Sequence, residues 1–374
     1  MKNLNVPNKG NVPRLRFTGY TDEWKNVKIA DIATIVGGGT PDTTISEYWD
    51  GDIQWFTPSE IGKSKYIAKS DRTITKEGLN NSSAKILPKG TILLSTRATI
   101  GECSIADKEC CTNQGFQSII VKNNTTNEFQ YYLIQTKKKD LIRNACGSTF
   151  LEISANEVRK IRCNIPNIEE QRKIADFLSL LDKRIETQNK IIQQLQSLIK
   201  GIVVSVTAET PNTRIDKCLV CHSSTLQENQ IDEFGGFPVY GANGICGYTD
   251  NADFNEPAIL IVKDGSGVGN VRYVNGKYSV IGTQNILTPQ NGYCLKYIFY
   301  SLQAFNFIPY KIGMAIPHIY FKHYGKAKIY CPNYAKQIEI AKQIENIEKK
   351  IELEKDMLLA YQKQKAYLLM NLFI

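Results

Sequence analysis

The chain has 374 residues, a formal net charge of +9 and 42% hydrophobic residues. These values are typical of a globular protein with one large or two ordinary domains, and they exclude wholesale disorder. The positive charge suits a negatively charged partner such as nucleic acid, although many unrelated proteins are equally basic. No long apolar run or signal-peptide core occurs, so we expect a cytoplasmic protein with reduced cysteines and no membrane partner.

Taken in chain order, the sequence predicts two domains and two long helices. The domains are rich in short β-type runs broken by Gly, Asn, Asp and Pro, which indicates a mixed α/β fold. The predicted order is an extended N-terminal arm (1–22), a first domain (23–165), a central helix (166–202), a linker (203–212), a second domain (213–331) and a C-terminal helix (332–374).

An internal repeat relates the two halves. With a shift of 166 residues, Gly147–Glu186 overlays Gly313–Glu352 without a gap, and eleven of the forty paired positions are identical. The identical positions include Gly147/Gly313, Pro166/Pro332 and Gln171/Gln337. Because glycine, proline and helix positions all match, we interpret the chain as a tandem duplication of one unit.

Each copy ends in a helix with a heptad pattern. Apolar side chains alternate in steps of three and four, which is typical of a coiled-coil seam. Two equivalent copies would pair these helices antiparallel. The residues predicted to form the helix interface are Ile174, Leu178, Leu181, Ile185, Gln188 and Ile192 in the first helix, and Ile340, Ile344, Ile347, Ile351 and Glu354 in the second.

One position of the seam is polar in both helices. Gln188 and Glu354 are equivalent under the 166-residue shift and lie near the middle of their helices. We therefore predict that these two side chains meet and fix the register of the helix pair. A helix of 34 residues would span about 50 Å at ~1.5 Å per residue.

The motifs that could carry catalysis or bind a metal are incomplete. Cys218, Cys221, His222 and Cys246 could hold zinc, but a second closely spaced pair of ligands is missing. The glycine cluster in 264–269 follows a strand and precedes another strand-like run, so we expect a tight turn rather than a dinucleotide loop. The sequence predicts neither a catalytic site nor a metal site.

Basic loops are the remaining functional candidates. Two short runs, 63–72 and 320–328, combine several cations with aromatic residues, which suits contacts with phosphates, sugars and bases. A solvated charged face is the alternative explanation. The side chains predicted to contact DNA are Lys63, Lys65, Arg72, Arg97, Gln114, Lys263, Arg272, Gln284, Asn285, His318 and Lys322.

Several segments together resemble one known family. The run 23–62, with Gly37–Pro41, Tyr48, Trp49, Gly51, Ile53 and Trp55, is similar to the start of the first recognition domain of specificity subunits of type I restriction–modification enzymes. The segment 163–186 looks like that family's central helix, and 240–255, 259–271 and 312–333 resemble a second recognition domain.

The resemblance implies an α+β fold in which two target-recognition domains are joined by an antiparallel pair of helices. Each domain would read one half of a bipartite target in the major groove of double-stranded DNA, and the helices would set a spacer of at most about 15 base pairs. The subunit would itself be non-catalytic. Two methyltransferase subunits, with S-adenosylmethionine, and two ATP-dependent restriction subunits would supply the chemistry, so ATP and Mg are expected on those partners.

A second class of function stays open from the sequence alone. The chain could be a coiled-coil adaptor whose end domains bind protein instead of DNA. Salt-dependent DNA binding distinguishes the two functions, because phosphate contacts release counterions.

Overall fold

The structure is a computed structural model, and it describes residues 2–3, 10–97, 99–147, 151–265 and 267–374. The chain divides into two compact units. The first consists of Met1–Thr187 together with Leu358–Ile374, and the second is Gln188–Met357. Each long helix therefore contributes one part to the first unit and one part to the second.

The first unit contains the N-terminal half of the chain and the end of the last helix. Its elements are β1 (Lys2–Asn3), β2 (Leu15–Arg16), β3 (Lys25–Lys28), α1 (Ile29–Ile32), β4 (Ala33–Gly37), β5 (Trp49–Phe56), β6 (Tyr66–Ile67), β7 (Arg72–Ile74), α2 (Lys76–Asn80), β8 (Ile92–Leu94), β9 (Cys103–Ala106), β10 (Cys110–Thr112), β11 (Gln117–Val121), α3 (Asn127–Thr136), α4 (Lys138–Arg143), α5 (Ala155–Lys160), β12 (Arg162–Ile165) and the start of α6 (Ile168–Thr207). Short 3-10 turns cover Ser46–Tyr48 and Pro58–Glu60.

The second unit repeats this plan with fewer strands. Its elements after α6 are β13 (Thr213–Arg214), α7 (Ile215–Cys218), β14 (Leu219–Ser223), β15 (Phe237–Gly241), β16 (Gly244–Thr249), β17 (Ala258–Val262), β18 (Val271–Val274), β19 (Ser279–Val280), β20 (Gln284–Pro289), α8 (Leu295–Gln303), α9 (Phe321–Tyr324), β21 (Lys328–Ile329) and the start of α10 (Tyr334–Leu372). Further 3-10 turns cover Glu228–Gln230 and Ile308–Tyr310.

The sheets of the two units have equivalent strand orders. The larger sheet is β4-β11-β8-β9-β6 in the first unit and β14-β20-β17-β18 in the second. The smaller sheet is β10-β5-β7 in one and β16-β15-β19 in the other, and each contains one parallel pair. A two-stranded sheet, β12-β3 or β13-β21, ties the start of each unit to the strand that precedes its long helix. The predicted tandem pair of mixed α/β domains is confirmed.

The start of α6 is part of the first unit's core. Ile174 and Leu178 are buried in the same apolar cluster as Trp24, Leu368 and Leu372, which brings the beginning of α6 and the end of α10 together. Fully burying each of these aliphatic side chains contributes about 1.5–3 kcal/mol. The helix is therefore fixed to its domain and to α10 by one continuous apolar surface.

The start of α10 has the corresponding position in the second unit. Ile340 and Ile344 are buried with Ile298 of α8 and with Val203 near the end of α6. The early part of each helix thus packs beside the late part of the other, which confirms the predicted antiparallel pair. The predicted interface residues pack against both a domain and the partner helix. The heptad pattern shows which face of a helix is apolar, but it does not show what packs against that face.

Both helix starts use the same capping residue. The Asn167 side chain accepts a hydrogen bond from Glu170 N at 2.9 Å, and the Asn333 side chain accepts one from Lys336 N at 3.0 Å. Such N-caps satisfy backbone donors that have no partner within the helix.

The central helix is longer than the sequence predicts. It was expected to end at 202, with a linker over 203–212, but α6 continues to Thr207. Val203 is buried in the second unit's core, so tertiary packing overrides the weak helix propensity of the β-branched run. The actual connection between α6 and β13 is 208–212.

The described part of the predicted arm over 1–22 belongs to the first unit. Residues 1 and 4–9 of this arm lie outside the described residues. Leu15 packs in the core, and the buried Arg16 donates to Glu170 of α6, with Nε and Oε1 2.8 Å apart. The described end of the arm is thus held by a buried ion pair and does not extend into solvent.

The seam of the helix pair contains the predicted polar contact. Gln188 Nε2 donates to the backbone oxygen of Glu354 at 3.0 Å and also to its carboxylate. Ile192 and Ile351, which follow and precede the two contact residues on their own helices, are buried next to them in the seam sequence. Equivalent positions of the two copies therefore meet.

Among the described residues, no helix is both long and apolar enough to cross a membrane.

Replacing Gln188 tests the role of this contact. Gln188→Leu should lower the free energy of unfolding by about 1–3 kcal/mol, because two acceptors of Glu354 lose their donor. The double variant Q188L/E354L should recover stability and lose register specificity. Urea unfolding measures the first effect, and photocrosslinking along the seam measures the second.

The exposed Gln194 of α6 provides a matched control, and Gln194→Leu should leave the free energy of unfolding unchanged. An unaltered crosslinking pattern in the double variant would show that chain connectivity, rather than this polar pair, fixes the register.

Candidate DNA interface and its helical support

A buried glutamine anchors the first turn of each long helix. Nε2 of Gln171 and of Gln337 donates to the carbonyl oxygen five residues earlier, at 3.0 Å and 2.8 Å. Oε1 of Gln171 accepts from Thr125 Oγ1 at 2.9 Å, and Oε1 of Gln337 accepts from Cys294 N at 2.9 Å. Gln171 and Gln337 are an identical pair of the internal repeat, and the sequence alone gives them no role. Its role is to join each helix to the segment before α3 or α8.

A tyrosine of each domain also bonds a carboxylate on the long helix. Tyr132 Oη donates to Asp182 at 2.5 Å, and Tyr300 Oη donates to Glu348 at 2.7 Å. Asp182 and Glu348 are equivalent under the 166-residue shift. Burial raises the pKa of both tyrosines, and the adjacent carboxylates raise it further.

Lys65 takes part in the first of these contacts. Its Nζ donates to Ser179 Oγ of α6 at 2.6 Å and lies 4.7 Å from the ring centre of Tyr132. Burial lowers the pKa of this lysine, and Asp182 opposes that effect. Lys65 was predicted to contact DNA, but it connects a loop of the domain to α6. We therefore leave Lys65 out of the proposed interface.

The motif that carries the family resemblance forms a compact aromatic cluster. The indole N–H of Trp55 donates to Gly39 O at 2.8 Å, and that of Trp49 donates to Asp42 O at 3.1 Å. The two rings are 5.1 Å apart in an edge-to-face arrangement. The exposed Arg72 lies over Trp49, with 3.5 Å between its guanidinium carbon and the ring centre. This stacking orients one of the predicted DNA-contacting cations.

The glycine loop before this cluster needs close backbone approach. A Cβ on Gly38 would lie 2.1 Å from the backbone oxygen of Asn113, so a larger residue cannot be placed there without moving the backbone. The close approach lets Thr40 Oγ1 donate to Gln114, which is exposed.

Three residues of the first domain that were predicted to contact DNA lie near the end of strand β5 in the smaller sheet. Gln114 follows β10, Arg72 opens β7, and both strands flank the end of β5. Arg97 follows Thr96, which donates its backbone N–H to Gly115 O at 2.9 Å. Arg97 also forms an exposed ion pair with Glu152, at 2.9 Å. Lys63 is exposed on a separate loop before β6.

Two predicted contact residues of the second domain are buried. Gln284 Nε2 donates to Tyr240 O at 3.0 Å, and Asn285 Nδ2 donates to Tyr324 Oη at 2.8 Å. Both begin the central strand β20, so their amides satisfy polar groups inside the domain. They cannot reach a base edge from there. Arg272 is half-buried, 6.0 Å from the ring centre of Tyr240, and remains a candidate.

Lys263, His318 and Lys322 surround one turn of the second domain. His318 Nδ1 and Asp264 Oδ1 are 2.6 Å apart, which fixes the orientation of the imidazole ring. Ile319 N donates to Lys263 O at 2.9 Å, so the two segments run side by side. Lys322 is exposed on α9.

The charges of the second domain are unevenly distributed along the chain. Residues 218–256 contain six Asp and Glu and no Lys or Arg, whereas residues 257–331 contain eight Lys and Arg and one acidic residue, Asp264. The acidic stretch includes β15 and β16 of the smaller sheet and β14 of the larger one, and the basic stretch includes β17, β18 and β20 of the larger sheet and β19 of the smaller one. A charge scan of the sequence would have found this signal, which favours the basic stretch as the DNA side of the domain.

The structure also describes the cysteine motif and the glycine cluster singled out in the sequence. Among the described residues, no group of three or more His, Cys, Asp and Glu side chains could hold a metal. The Cys218 thiol instead lies 3.7 Å from that of Cys331, sulfur to sulfur. The glycine cluster joins antiparallel β17 and β18, and both Gly265 and Gly269 have φ +92°, which confirms the predicted tight turn.

Comparison with known proteins identifies the class to which this fold belongs. Residues 21–197 and 220–360 match the family model described as type I restriction modification DNA specificity domain. The match covers most of the chain in two separate segments, as expected for a tandem repeat. The chain belongs to this family of specificity domains.

Curated relatives agree with the family match. The chain is 42% identical over 183 residues to the type I restriction enzyme MjaIX specificity subunit of Methanocaldococcus jannaschii, covering 46% of this chain and 42% of the relative. It is 24% identical over 356 residues to the EcoprrI specificity subunit of Escherichia coli, covering 86% of each. The alignments with the MjaIX subunit and with the EcoR124I/EcoR124II subunit of Escherichia coli span less than half of those proteins.

Two solved structures share the fold. A type I restriction-modification S subunit from M. genitalium superposes with a TM-score of 0.59 at 18% identity, covering 97% of this chain and 99% of that one. A chain from a study of complex assembly in a type I R-M system gives a TM-score of 0.60 at 15% identity, covering 92% and 96%.

Removing the tyrosine hydroxyls tests the attachment of the helices. Tyr132→Phe and Tyr300→Phe should each lower the free energy of unfolding at pH 7 by about 1–3 kcal/mol, because a hydrogen bond to a carboxylate is lost. A raised pKa in the folded state stabilises the protein fully below the unfolded value of about 10, and this contribution falls as pH rises above it. Both variants should therefore lose less stability than the parent protein between pH 10 and 12.

Denaturant unfolding at a series of pH values measures both effects. Tyr367→Phe is the control, because Tyr367 is half exposed on α10 and its hydroxyl should contribute little. Equal pH profiles for Tyr132→Phe and the parent protein would contradict the assigned role of the hydroxyl.

Proposed function

We propose that the chain is the DNA-recognition subunit of a type I restriction–modification complex and that each unit reads one half of a bipartite target. The observation that carries the proposal is the duplication. Two units with equivalent strand orders are built on two helices with equivalent anchors. A tandem repeat of one DNA-reading domain supplies two recognition surfaces in a single chain, as paired half-site readers do in dimeric DNA-binding proteins.

The proposed DNA surface is narrower than the sequence predicted. It comprises the edge of the first domain that carries Arg72, Arg97 and Gln114, and the basic turn of the second domain. Arginine and glutamine can each form bidentate contacts with base edges, and exposed lysines contact phosphates. The retained candidates are Arg72, Arg97 and Gln114 on that edge, Lys263, His318 and Lys322 at that turn, and, on other elements, Lys63 and Arg272.

The chemistry is assigned to partners. We propose that the chain acts without catalysing a reaction and that it directs adenine methylation by two methyltransferase subunits, which bind S-adenosylmethionine. DNA cleavage would be performed by two ATP- and Mg-dependent restriction subunits. Support comes from the relatives, which are named specificity subunits of restriction enzymes. The paired helices α6 and α10 offer an elongated surface for these partners.

DNA binding with the methyltransferase partner present tests this function against the adaptor alternative. Affinity should fall steeply with salt, and Lys322→Ala should reduce the slope of log K against log salt by about 1. Arg272→Ala should weaken binding about 5- to 150-fold and relax selectivity at one base position, because a contact worth about 1–3 kcal/mol is lost.

Lys217 is a matched control for these variants, since it is exposed in the same domain but outside the proposed surface. Lys217→Ala should leave the salt slope and the selectivity unchanged. Salt-independent binding, or no DNA binding with the partner present, would favour the protein-binding adaptor.

Exchange of one domain tests the bipartite target. Replacement of residues 213–331 by the corresponding domain of a relative should change one half of the methylated sequence and leave the other half intact. Methylome sequencing of a host that carries the exchanged chain with its methyltransferase reads both halves directly. A change in both halves would contradict independent reading by the two domains.

A further inference from the structure

A short hairpin in the second domain forms a well-defined tip. Ile312 and His318 exchange two backbone hydrogen bonds, at 2.9 Å and 2.7 Å. Gly313 has φ +93°, and a Cβ there would lie 2.5 Å from Ile316 O. The turn therefore depends on glycine, and its conformation is set by the backbone.

The tip is attached to the loop that follows β17. Gly265 N donates to Pro317 O at 3.1 Å, and the His318 ring is held by Asp264 at 2.6 Å. These contacts fix the base of the hairpin to the central strand of the larger sheet through the adjoining loop. The tip is thus a positioned projection of the domain.

The side chains at this tip are apolar and exposed to solvent. Met314 is fully exposed, and Ile312 and Ile316 are 49% and 60% exposed. Isolated apolar residues are common on protein surfaces, but three in one seven-residue turn form a patch of the kind that marks an interaction site.

The surroundings of the tip indicate the charge of its partner. Residues 305–333 contain four lysines and two histidines but no Asp or Glu. The basic turn of the proposed DNA surface includes His318 itself. Apart from Asp264 at its base, the apolar patch lies in a segment whose charged residues are all basic. Such a patch fits a polyanion that also offers apolar groups, which favours DNA over an acidic or neutral protein surface.

The same hairpin base recurs in the first domain. Cys146 and Glu152, equivalent to Ile312 and His318, exchange two backbone hydrogen bonds of 2.9 Å. Gly147, equivalent to Gly313, has φ +138°. Arg97 takes the place of Asp264 as the ion-pair partner. The tip itself, 148–150, lies outside the described residues. The same hairpin base in both copies suits a function that each domain performs.

We propose that the tip Ile312–His318 enters the major groove and that Met314 and Ile316 contact thymine methyl groups in the half-target read by the second domain. This inference rests on the proposed DNA-recognition function. The C5-methyl group of thymine is the apolar group that the major groove presents, and neither Met nor Ile can bond to a polar base edge. The selectivity assigned to this tip is for A·T pairs.

Deoxyuridine provides a direct test, because it lacks the methyl group and pairs like thymine. The full chain with its methyltransferase should bind a target duplex about 4-fold more weakly when one contacted thymine of the second half is replaced by deoxyuridine, because one buried methyl group contributes about 0.8 kcal/mol. Met314→Ala should weaken binding to the thymine duplex by a similar factor and cause no further loss on the deoxyuridine duplex. Met314→Leu should retain most of the affinity.

The control is Phe234→Ala, because Phe234 is 80% exposed in the acidic stretch of the same domain and should not affect DNA binding. Normal DNA binding by both Met314→Ala and Ile316→Ala would overturn the tip inference and leave the proposed function intact. Loss of methyltransferase binding, with DNA binding unchanged, would also overturn it. Absence of DNA binding by the parent complex would overturn both.

Discussion

The contact between Gln188 and Glu354 is the constraint on which the helix pair depends. These residues are the same position of the duplicated unit, and in an antiparallel pair only the position at the centre of the repeat meets its own copy. The start of each helix then packs beside the end of the other, within a domain core. Because the seam is apolar on both sides of this contact, a shift in register would bury the glutamine or the carboxylate without its partner, at a cost of about 1–3 kcal/mol.

The helices were predictable from sequence because their signal is local. A long run without proline and with regular apolar spacing gives the helix, its buried face and its polar seam position. The end of α6 was not predictable, since Val203 is helical only because it covers the core of the second unit. The sheet orders were equally inaccessible, because β4 pairs with β11 across nearly the whole domain and no local pattern specifies such a pairing.

The candidate site shows where residue chemistry stops being informative. Lys65, Gln284 and Asn285 were selected because their side chains can donate hydrogen bonds, which is correct, but the acceptors belong to the protein. The sequence of a short polar run does not indicate which side faces solvent. Arg72 is exposed and stacks on Trp49, and these two residues are distant in the sequence. The basic stretch 257–331 and the shared glycine at positions 147 and 313 were visible in the sequence, and they give the stronger signal.

The two copies share the contacts that hold the long helices, and they differ at the hairpin base. The glutamine anchors, the asparagine caps and the tyrosine–carboxylate bonds keep the same chemistry in both copies, and each joins a long helix to its domain or satisfies the first turn of that helix. At the hairpin base the backbone pairing is retained while Arg97–Glu152 becomes Asp264–His318. Exposed pairs contribute little to stability, so they are free to diverge. The proposed reading of two different half-targets would need this division, with a common support beneath surfaces that differ.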